Sequence, residues 1–324
     1  MKSLRKKNLA KPAFLLLALV LPWVFILFNF NYGILILNFV LLYVVAVSGL
    51  DIVFGYSGQI SLGHAAYFAI GAYGSVLIHK YLGVPVIFSM LISSVLAALI
   101  GIVISYPASR LRFHFLSLAT IAFGEIVYQL CAQSPGAITG NFLGVFTDPI
   151  EIFGFAFNTN LRFYYFGIVA TGLFLILKVN LTKSRTGRAL IAIRENPAAA
   201  DGMGVNVTRY KVIGFAFSAL YCGFAGGMYA HLVRFISPDT FVYKQSVMFL
   251  TMLLFGGTGN FWGPIIGVLS VTLLNEGLRS AERYQMFIYG FLMLFVIIAL
   301  PGGIYGKAVE LVHKKRRTSH ADVH

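Results

Sequence analysis

The stretch GYSGQISLGH, residues 55–64, interrupts a strongly apolar part of the chain. A long, almost uncharged run precedes it, and the apolar run AAYFAIGAYGSVLI follows it. Such a glycine-rich, polar stretch cannot lie bare in lipid, because each unpaired backbone group there costs several kcal/mol. We therefore expect this first break to be buried in protein or to line a polar cavity, as breaks in transporter spans do. A glycine-rich turn at the membrane surface is the simpler alternative.

The composition is that of an all-α integral membrane protein. Of the 324 residues, 58% are hydrophobic and only 11% are charged, against about 25% charged in soluble domains. Several apolar segments approach the ~20 residues that a spanning helix needs. They lie at 12–30, 33–54, 60–79, 85–105, 113–131, 163–179, 212–231, 245–256, 263–278 and 285–301. We predict one transmembrane domain, residues 1–324, forming a polytopic bundle of about ten spans with broken helices. Eight spans with re-entrant segments remain open.

The net charge of +14 does not indicate nucleic-acid binding, because the basic residues lie in a few short segments between apolar runs. If the spans alternate from a cytoplasmic N-terminus, 19 of the 25 Lys and Arg residues fall inside, with Lys178 counted among those of the cytoplasmic loop, as the positive-inside rule requires. We therefore predict a cytoplasmic N-terminus at 1–11, a cytoplasmic loop at 180–211 and a basic cytoplasmic tail at 306–324. The extracytoplasmic loop 132–162 is rich in glycine and aromatics, so we expect it to be folded. It is either a docking surface or a passive cap.

A second glycine-rich break, GGTGNFWGP at 256–264, divides the late apolar region 245–278. Two breaks, one early and one late, are consistent with two related halves that meet at a transport path. We predict that the path is lined by Gly55, Ser57, Gly58, Gln59, Ser61, Gly63, His64, Thr258 and Asn260. Small residues at four-residue spacing predict close helix contacts. They form two ridges, Ala219–Gly223–Gly227 and Gly259–Gly263–Gly267.

Asp51 and Glu125 are the carboxylates placed deepest in apolar runs, and such groups are functional candidates by default. Structural bracing is the simpler expectation: Asp51 through backbone N–H groups of the first break, and Glu125 by protonation or a hydrogen bond to a neighbouring helix. His64 is expected to open a helix. Cys131 and Cys222 lie in apolar runs, far from any CxxC pattern, and are expected to be free and buried.

The loop SRTGRALIAIRENPAAADGMGVNVTRYK, residues 184–211, predicts two short helices at the membrane surface. Thr186 is the expected cap of the first helix, whose Ala189, Leu190 and Ile193 share one face. Pro197 fits the first turn of the second helix, which should end at Gly202 or Gly204. Projecting helices of this kind provide a surface that an ATPase subunit can bind. The chain itself has no GxxxxGK[ST] loop for ATP, and it has no HExxH or GxSxG motif.

Four motifs, in order along residues 33–301, resemble LivM-type permease subunits of branched-chain amino-acid ABC importers. They are GYSGQISLGHAAYFAIGAYG, ITGNFLGVF, GRALIAIRENPAAADGMGVNVTRYK with AFSALYCGFAGGMYAH, and LLFGGTGNFWGPIIG. The resemblance implies a multi-pass protein of a bacterial or archaeal plasma membrane. It also implies a LivH-type second permease, two cytoplasmic ATPases that use the ATP, and an extracytoplasmic binding protein, with no cofactor or catalysis on this chain.

The coupling role that the resemblance implies falls on the cytoplasmic loop: Arg188, Arg194, Glu195, Ala199, Asp201, Met203 and Gly204. Pro197, Gly202 and Asn141 depart from the residues that the family often has there. Related permeases carry urea, amides or other small solutes, so the cargo stays open. An ATP-independent channel or carrier is a second class. An intramembrane enzyme is a third, with only Asp51, Glu125 and His64 to offer.

Overall fold

The computed structural model describes residues 19–27, 31–109, 113–152, 154–278, 287, 288, 290, 291, 294, 302–307 and 310. The predicted segments 1–11, 12–30, 285–301 and 306–324 fall wholly or largely outside these residues. Among the described helices, five are long and apolar enough to cross a membrane. The prediction of a helical membrane protein is confirmed, and the number of spans stays a prediction.

The described part of the chain is helical almost throughout. The helices are α1 (19–27), α2 (Asn31–Asp51), α3 (His64–Leu82), α4 (Val86–Ala108), α5 (Phe113–Ala132), α6 (Asn160–Lys183), α7 (Arg185–Glu195), α8 (Pro197–Gly202), α9 (Val207–Val233), α10 (Tyr243–Gly256) and α11 (Trp262–Gly277). A π-helical turn, Ile52–Tyr56, continues α2. The five spanning candidates are α2 with this turn, α4, α5, α6 and α9.

Helix α9 forms the centre of the bundle and packs against α2, α3 and α4. The predicted ridge of small residues on α9 makes this possible. A Cβ added at Gly223 would lie 2.7 Å from the Ala97 Cβ of α4, and one at Gly227 would lie 3.0 Å from the Met90 Cγ. On the α3 side, a Cβ at Gly71 would overlap the backbone carbonyl of Gly223. The prediction that this ridge serves helix packing is confirmed.

The second predicted ridge is only partly correct. Gly263 and Gly267 lie on α11, and added Cβ atoms there would overlap backbone carbonyls of Gly257 and Met252, so α10 and α11 approach closely. Gly259 lies before α11 begins and adopts a left-handed conformation, with φ of +71°. It belongs to the second break, where its N–H group donates a hydrogen bond to Asp51.

The segment between α5 and α6 is folded, as expected. Strand β1 (Val145–Phe146) pairs antiparallel with β4 (Phe235–Ile236), and β2 (Glu151–Ile152) pairs with β3 (Phe155–Ala156). The β1–β4 pair ties this loop to the end of α9. Both cysteines are free and buried, as predicted.

Candidate functional site

The first break begins within the π-helical turn that continues α2. The helix widens into the π-helical turn, residues 57–63 leave helical geometry, and α3 begins at His64 as predicted. The Gln59 N–H group and the Ser57 hydroxyl both donate to the Val53 carbonyl, at 3.0 and 2.7 Å. Gly58 has φ of +68°, a conformation that side chains other than glycine adopt at a cost. The chain thus turns within the bundle while its polar groups find local partners.

The second break separates α10 from α11, and Asn260 holds it together. The Asn260 amide donates to the carbonyls of Gly257 and Thr258, at 3.2 and 3.3 Å. Its Oδ1 accepts from the Gly263 N–H group at 2.5 Å, in the first turn of α11. Gly257 has φ of +103°, so glycine is needed where the chain leaves α10.

Asp51 joins the two breaks. Its side chain is fully buried, and its two oxygens accept from the Gly259 N–H group and from Lys178 Nζ, each at 2.7 Å. Lys178 also donates to the Asn260 carbonyl at 3.3 Å. A Cβ at Gly55 would overlap the Asp51 carboxylate and would lie 2.5 Å from the Gly259 nitrogen. The breaks therefore touch each other across a buried ion pair.

Two expectations need correction here. Asp51 braces the break through a backbone N–H group, but the donor lies in the second break, not the first. Lys178 was assigned to the basic cytoplasmic loop, yet its side chain is only 1% exposed within α6, which continues to Lys183. Removing one partner of such a buried pair strands a charge in an apolar environment, at a cost of about 3–5 kcal/mol.

Helix α7 contacts both breaks through Arg194. The Arg194 guanidinium donates to the Gly55 carbonyl at 2.5 Å, and a Cβ at Gly259 would lie 3.1 Å from Arg194 Nη1. The α7 residues Ala189, Leu190 and Ile193 are buried as predicted. The predicted cap was wrong: Ser184, not Thr186, accepts from the first N–H groups of the helix.

Helix α8 agrees with its prediction. Asn196 caps it, Pro197 lies in its first turn, and it ends at Gly202. Every residue predicted to face an ATPase is exposed in the described structure: Arg188, Arg194, Glu195, Ala199, Asp201, Met203 and Gly204. Met203 is 86% exposed. This exposure leaves the end of α8 free for a partner, and the coupling role itself stays a prediction.

The residues predicted to line the path are mostly enclosed by the chain. Gly55, Ser57, Gln59, Ser61, Gly63 and His64 are buried, and Gly58, Thr258 and Asn260 are half-buried. Gln59 Nε2 donates to Ser57 Oγ at 2.6 Å. Gln59 Oε1 and Ser61 Oγ are buried with no hydrogen-bond partner within the described part of the chain. Buried polar atoms of native proteins usually have hydrogen-bond partners, so these two atoms are positions where a water molecule or a solute can bind.

The three groups considered for enzyme chemistry have separate partners. Asp51 pairs with Lys178, and His64 Nε2 lies 2.6 Å from Ser218 Oγ. Glu125 accepts from Gln129 of its own helix at 2.9 Å, not from a neighbouring helix as expected. Among the described residues, no group of three or more His, Cys, Asp or Glu side chains is placed to hold a metal ion.

Two interrupted helices, packed against each other in a polytopic helical bundle, define a membrane transport protein with broken spans. The sequence profile of the family described as "Branched-chain amino acid transport system / permease component" matches residues 33–297, and the chain belongs to this family. No solved structure gave a significant match.

Several curated relatives are similar over most of their length. The branched-chain amino acid permease LivM of Escherichia coli is 29% identical, over 89% of this chain and 73% of that protein. A probable LivM of Methanocaldococcus jannaschii is 23% identical, over 83% and 92%. The guanosine permease NupQ of Bacillus subtilis is 28% identical, over 67% and 71%.

Proposed function

We propose that this chain is the LivM-type permease subunit of an ATP-driven importer for branched-chain amino acids. It works in a bacterial or archaeal plasma membrane with both termini in the cytoplasm. Its partners are a LivH-type second permease, two cytoplasmic ATPases that hydrolyse the ATP, and an extracytoplasmic binding protein. The observation that carries the proposal is the connection from α7 to both breaks through Arg194, Asp51 and Lys178.

In this mechanism, the ATPases grip the exposed surface of α7 and α8. A displacement of α7 acts on the first break through the hydrogen bond from Arg194 to the Gly55 carbonyl. The second break must follow, because Asp51 and Lys178 bind the Gly259 N–H group and the Asn260 carbonyl. Glycines at both breaks absorb the backbone change. The motion at the partner interface thus becomes a relative motion of two broken helices.

The same motion opens the cargo path between the breaks. Gln59 Oε1 and Ser61 Oγ lack partners among the described residues, so a passing solute finds acceptors there without displacing an existing hydrogen bond. The break is also free of a fixed deep charge directed at the cargo, since Asp51 is already paired. Weak, neutral contacts suit transport, because tight binding would slow release.

The loop 132–162 receives the binding protein on the opposite side of the membrane. Its folded core is anchored by the β1–β4 pair, so contact there reaches the end of α9 directly. Specificity for the cargo belongs largely to that partner. A permease for another small solute is the second candidate, and the similarity to a guanosine permease favours it.

The test is a complex reconstituted in vesicles with both permeases, both ATPases and the binding protein. Uptake of labelled leucine and of labelled guanosine is measured together with ATP hydrolysis. We expect leucine uptake, and we expect Met203→Asp to reduce both stimulated hydrolysis and uptake more than Glu195→Gln does. Exposed ion pairs contribute only ~0–1 kcal/mol, whereas packed anchors dominate interfaces. Uptake that continues without the ATPases would refute the proposal, and guanosine uptake alone would support the second candidate.

A further inference from the structure

Helix α5 has a polar face on the outside of the chain. Its buried side carries Leu116, Thr120, Phe123, Val127 and Cys131 and packs against α3. Glu125, Gln129 and Gln133 lie on the other side and are exposed. At about 100° per residue, this polar line lies nearly opposite the centre of the buried stripe.

The three polar side chains form a hydrogen-bonded ladder along the helix. Gln129 Nε2 donates to Glu125 Oε1 at 2.9 Å, and Gln133 Nε2 donates to Gln129 Oε1 at 3.4 Å. None of the ion pairs found among the described residues includes Glu125. The carboxylate therefore has one amide partner from its own helix, and its remaining acceptor positions face outward.

A lipid environment does not fit this face. Glu125 lies seven residues before the helix ends at Ala132, about 10 Å along the axis, and α5 is one of the helices apolar enough to span. Carboxylates at such depth face a bundle interior or a water-filled cavity. Glu125 and Gln129 are exposed in the described structure, so the second wall of such a cavity comes from outside the described residues.

We propose that the polar face of α5 lines the outer half of an aqueous transport path and that Glu125 meets the cationic amine of the passing cargo. Helix α5 contacts the first break through its buried face, where Thr120 accepts from the Leu62 N–H group. Its polar face therefore borders the path only where the path leaves this chain, at the end that leads to loop 132–162. The path is completed by the second permease subunit. The identity of the cargo rests on the proposed function, whereas the accessibility of this face to water does not.

Charged groups of both signs lie near the polar face of α5. The Tyr128 hydroxyl of α5 donates to Asp239 at 3.4 Å, which places a second carboxylate next to the helix. Asp239 also borders a groove of about 290 Å³, together with Tyr43, Lys244, Gln245 and Met248. The buried Gln245 Nε2 has no hydrogen-bond partner among the described residues. The outer part of the path thus offers carboxylates, one lysine and an amide donor beside apolar walls, which suits the two charged ends of an amphipathic amino acid.

Thiol accessibility tests the aqueous face directly. Single cysteines replace Gln129 or Leu130 in a Cys131→Ala, Cys222→Ser background, and a membrane-impermeant methanethiosulfonate is added to intact cells. The two positions have the same depth but lie about 100° apart on the helix. We expect Gln129→Cys to react at least tenfold faster than Leu130→Cys. Equal rates, or no reaction at either site, would overturn the proposal. The labelling rates at these two positions do not depend on which solute is transported.

The charge of Glu125 is tested with two reagents of opposite sign. A carboxylate about 6 Å from the new thiol should speed a trimethylammonium reagent about threefold and slow a sulfonate reagent about threefold. The rate ratio at Gln129→Cys should therefore fall about tenfold when Glu125→Gln is added. Ile126→Leu, an exposed neighbour on the same turn, is the matched control and should leave the ratio unchanged. An unchanged ratio in Glu125→Gln would refute the charged lining.

Discussion

The buried pair of Asp51 and Lys178 makes a quantitative prediction about stability. Lys178→Met keeps the length of the side chain and removes its charge. Asp51 is then left fully buried, with the Gly259 N–H group as its remaining donor. We expect the free energy of unfolding to fall by about 3–5 kcal/mol, because an uncompensated buried charge costs about that much.

The double variant Asp51→Asn, Lys178→Met separates the pair from the loss of packing. The asparagine oxygen can still accept from Gly259, and no charge remains buried. We therefore expect the double variant to lose at least about 2 kcal/mol less than the sum of the single variants, which is the coupling energy of the pair.

The measurement is reversible unfolding of the purified chain in mixed micelles, followed by tryptophan fluorescence. Lys183→Met, at the exposed end of the same helix, is the control and should change stability by less than about 0.5 kcal/mol. If Lys178→Met costs under about 1 kcal/mol and the double variant is additive, the ion pair does not join the breaks.

Three shorter predictions concern coupling, packing and topology. Arg194→Met should lower uptake about tenfold or more, because a hydrogen bond to a charged group contributes about 1.5–3 kcal/mol. Assembly should persist, so uptake is measured together with pull-down of the ATPases. Gly71→Ala should lower the free energy of unfolding by at least about 1–3 kcal/mol, because the new Cβ overlaps the Gly223 carbonyl. Gly124→Ala, with open space around it, should raise the free energy of unfolding by about 0.5–1 kcal/mol. Thermal unfolding of the two variants measures the difference. Asp148→Cys, with Cys131 and Cys222 removed, should react with an impermeant thiol reagent from outside, and labelling only in inverted vesicles would reverse the topology.

Local patterns predicted the parts of the site that neighbouring residues determine. The start of α3 at His64 follows from the glycine-rich break before it, and the bounds of α8 follow from Asn196, Pro197 and Gly202. The N-terminal cap of α7 was predicted wrongly, because serine and threonine are both residue types that cap helices well. Only the backbone geometry decides between Ser184 and Thr186.

Contacts between distant segments could not be predicted in the same way. The Gly259 N–H group that Asp51 binds is 208 residues away in sequence. Lys178 was taken for a loop residue because counting basic residues near the ends of apolar runs treats all of them as orientation signals. A better signal was available: opposite charges inside two apolar runs are candidates for pairing with each other.

At the first break, the number of residues in the π-helical turn matters more than which residues they are. A π turn closes its hydrogen bonds one residue later than an α turn, so Ile52–Tyr56 holds one residue more than an ordinary helix needs. A further residue inserted before Gly55 in this turn, which already holds one extra residue, would turn Gly55 by about 100°. Its carbonyl would then point away from Arg194, although every residue type that binds there would still be present. An insertion in this turn would therefore disconnect α7 from the membrane helices more thoroughly than most substitutions.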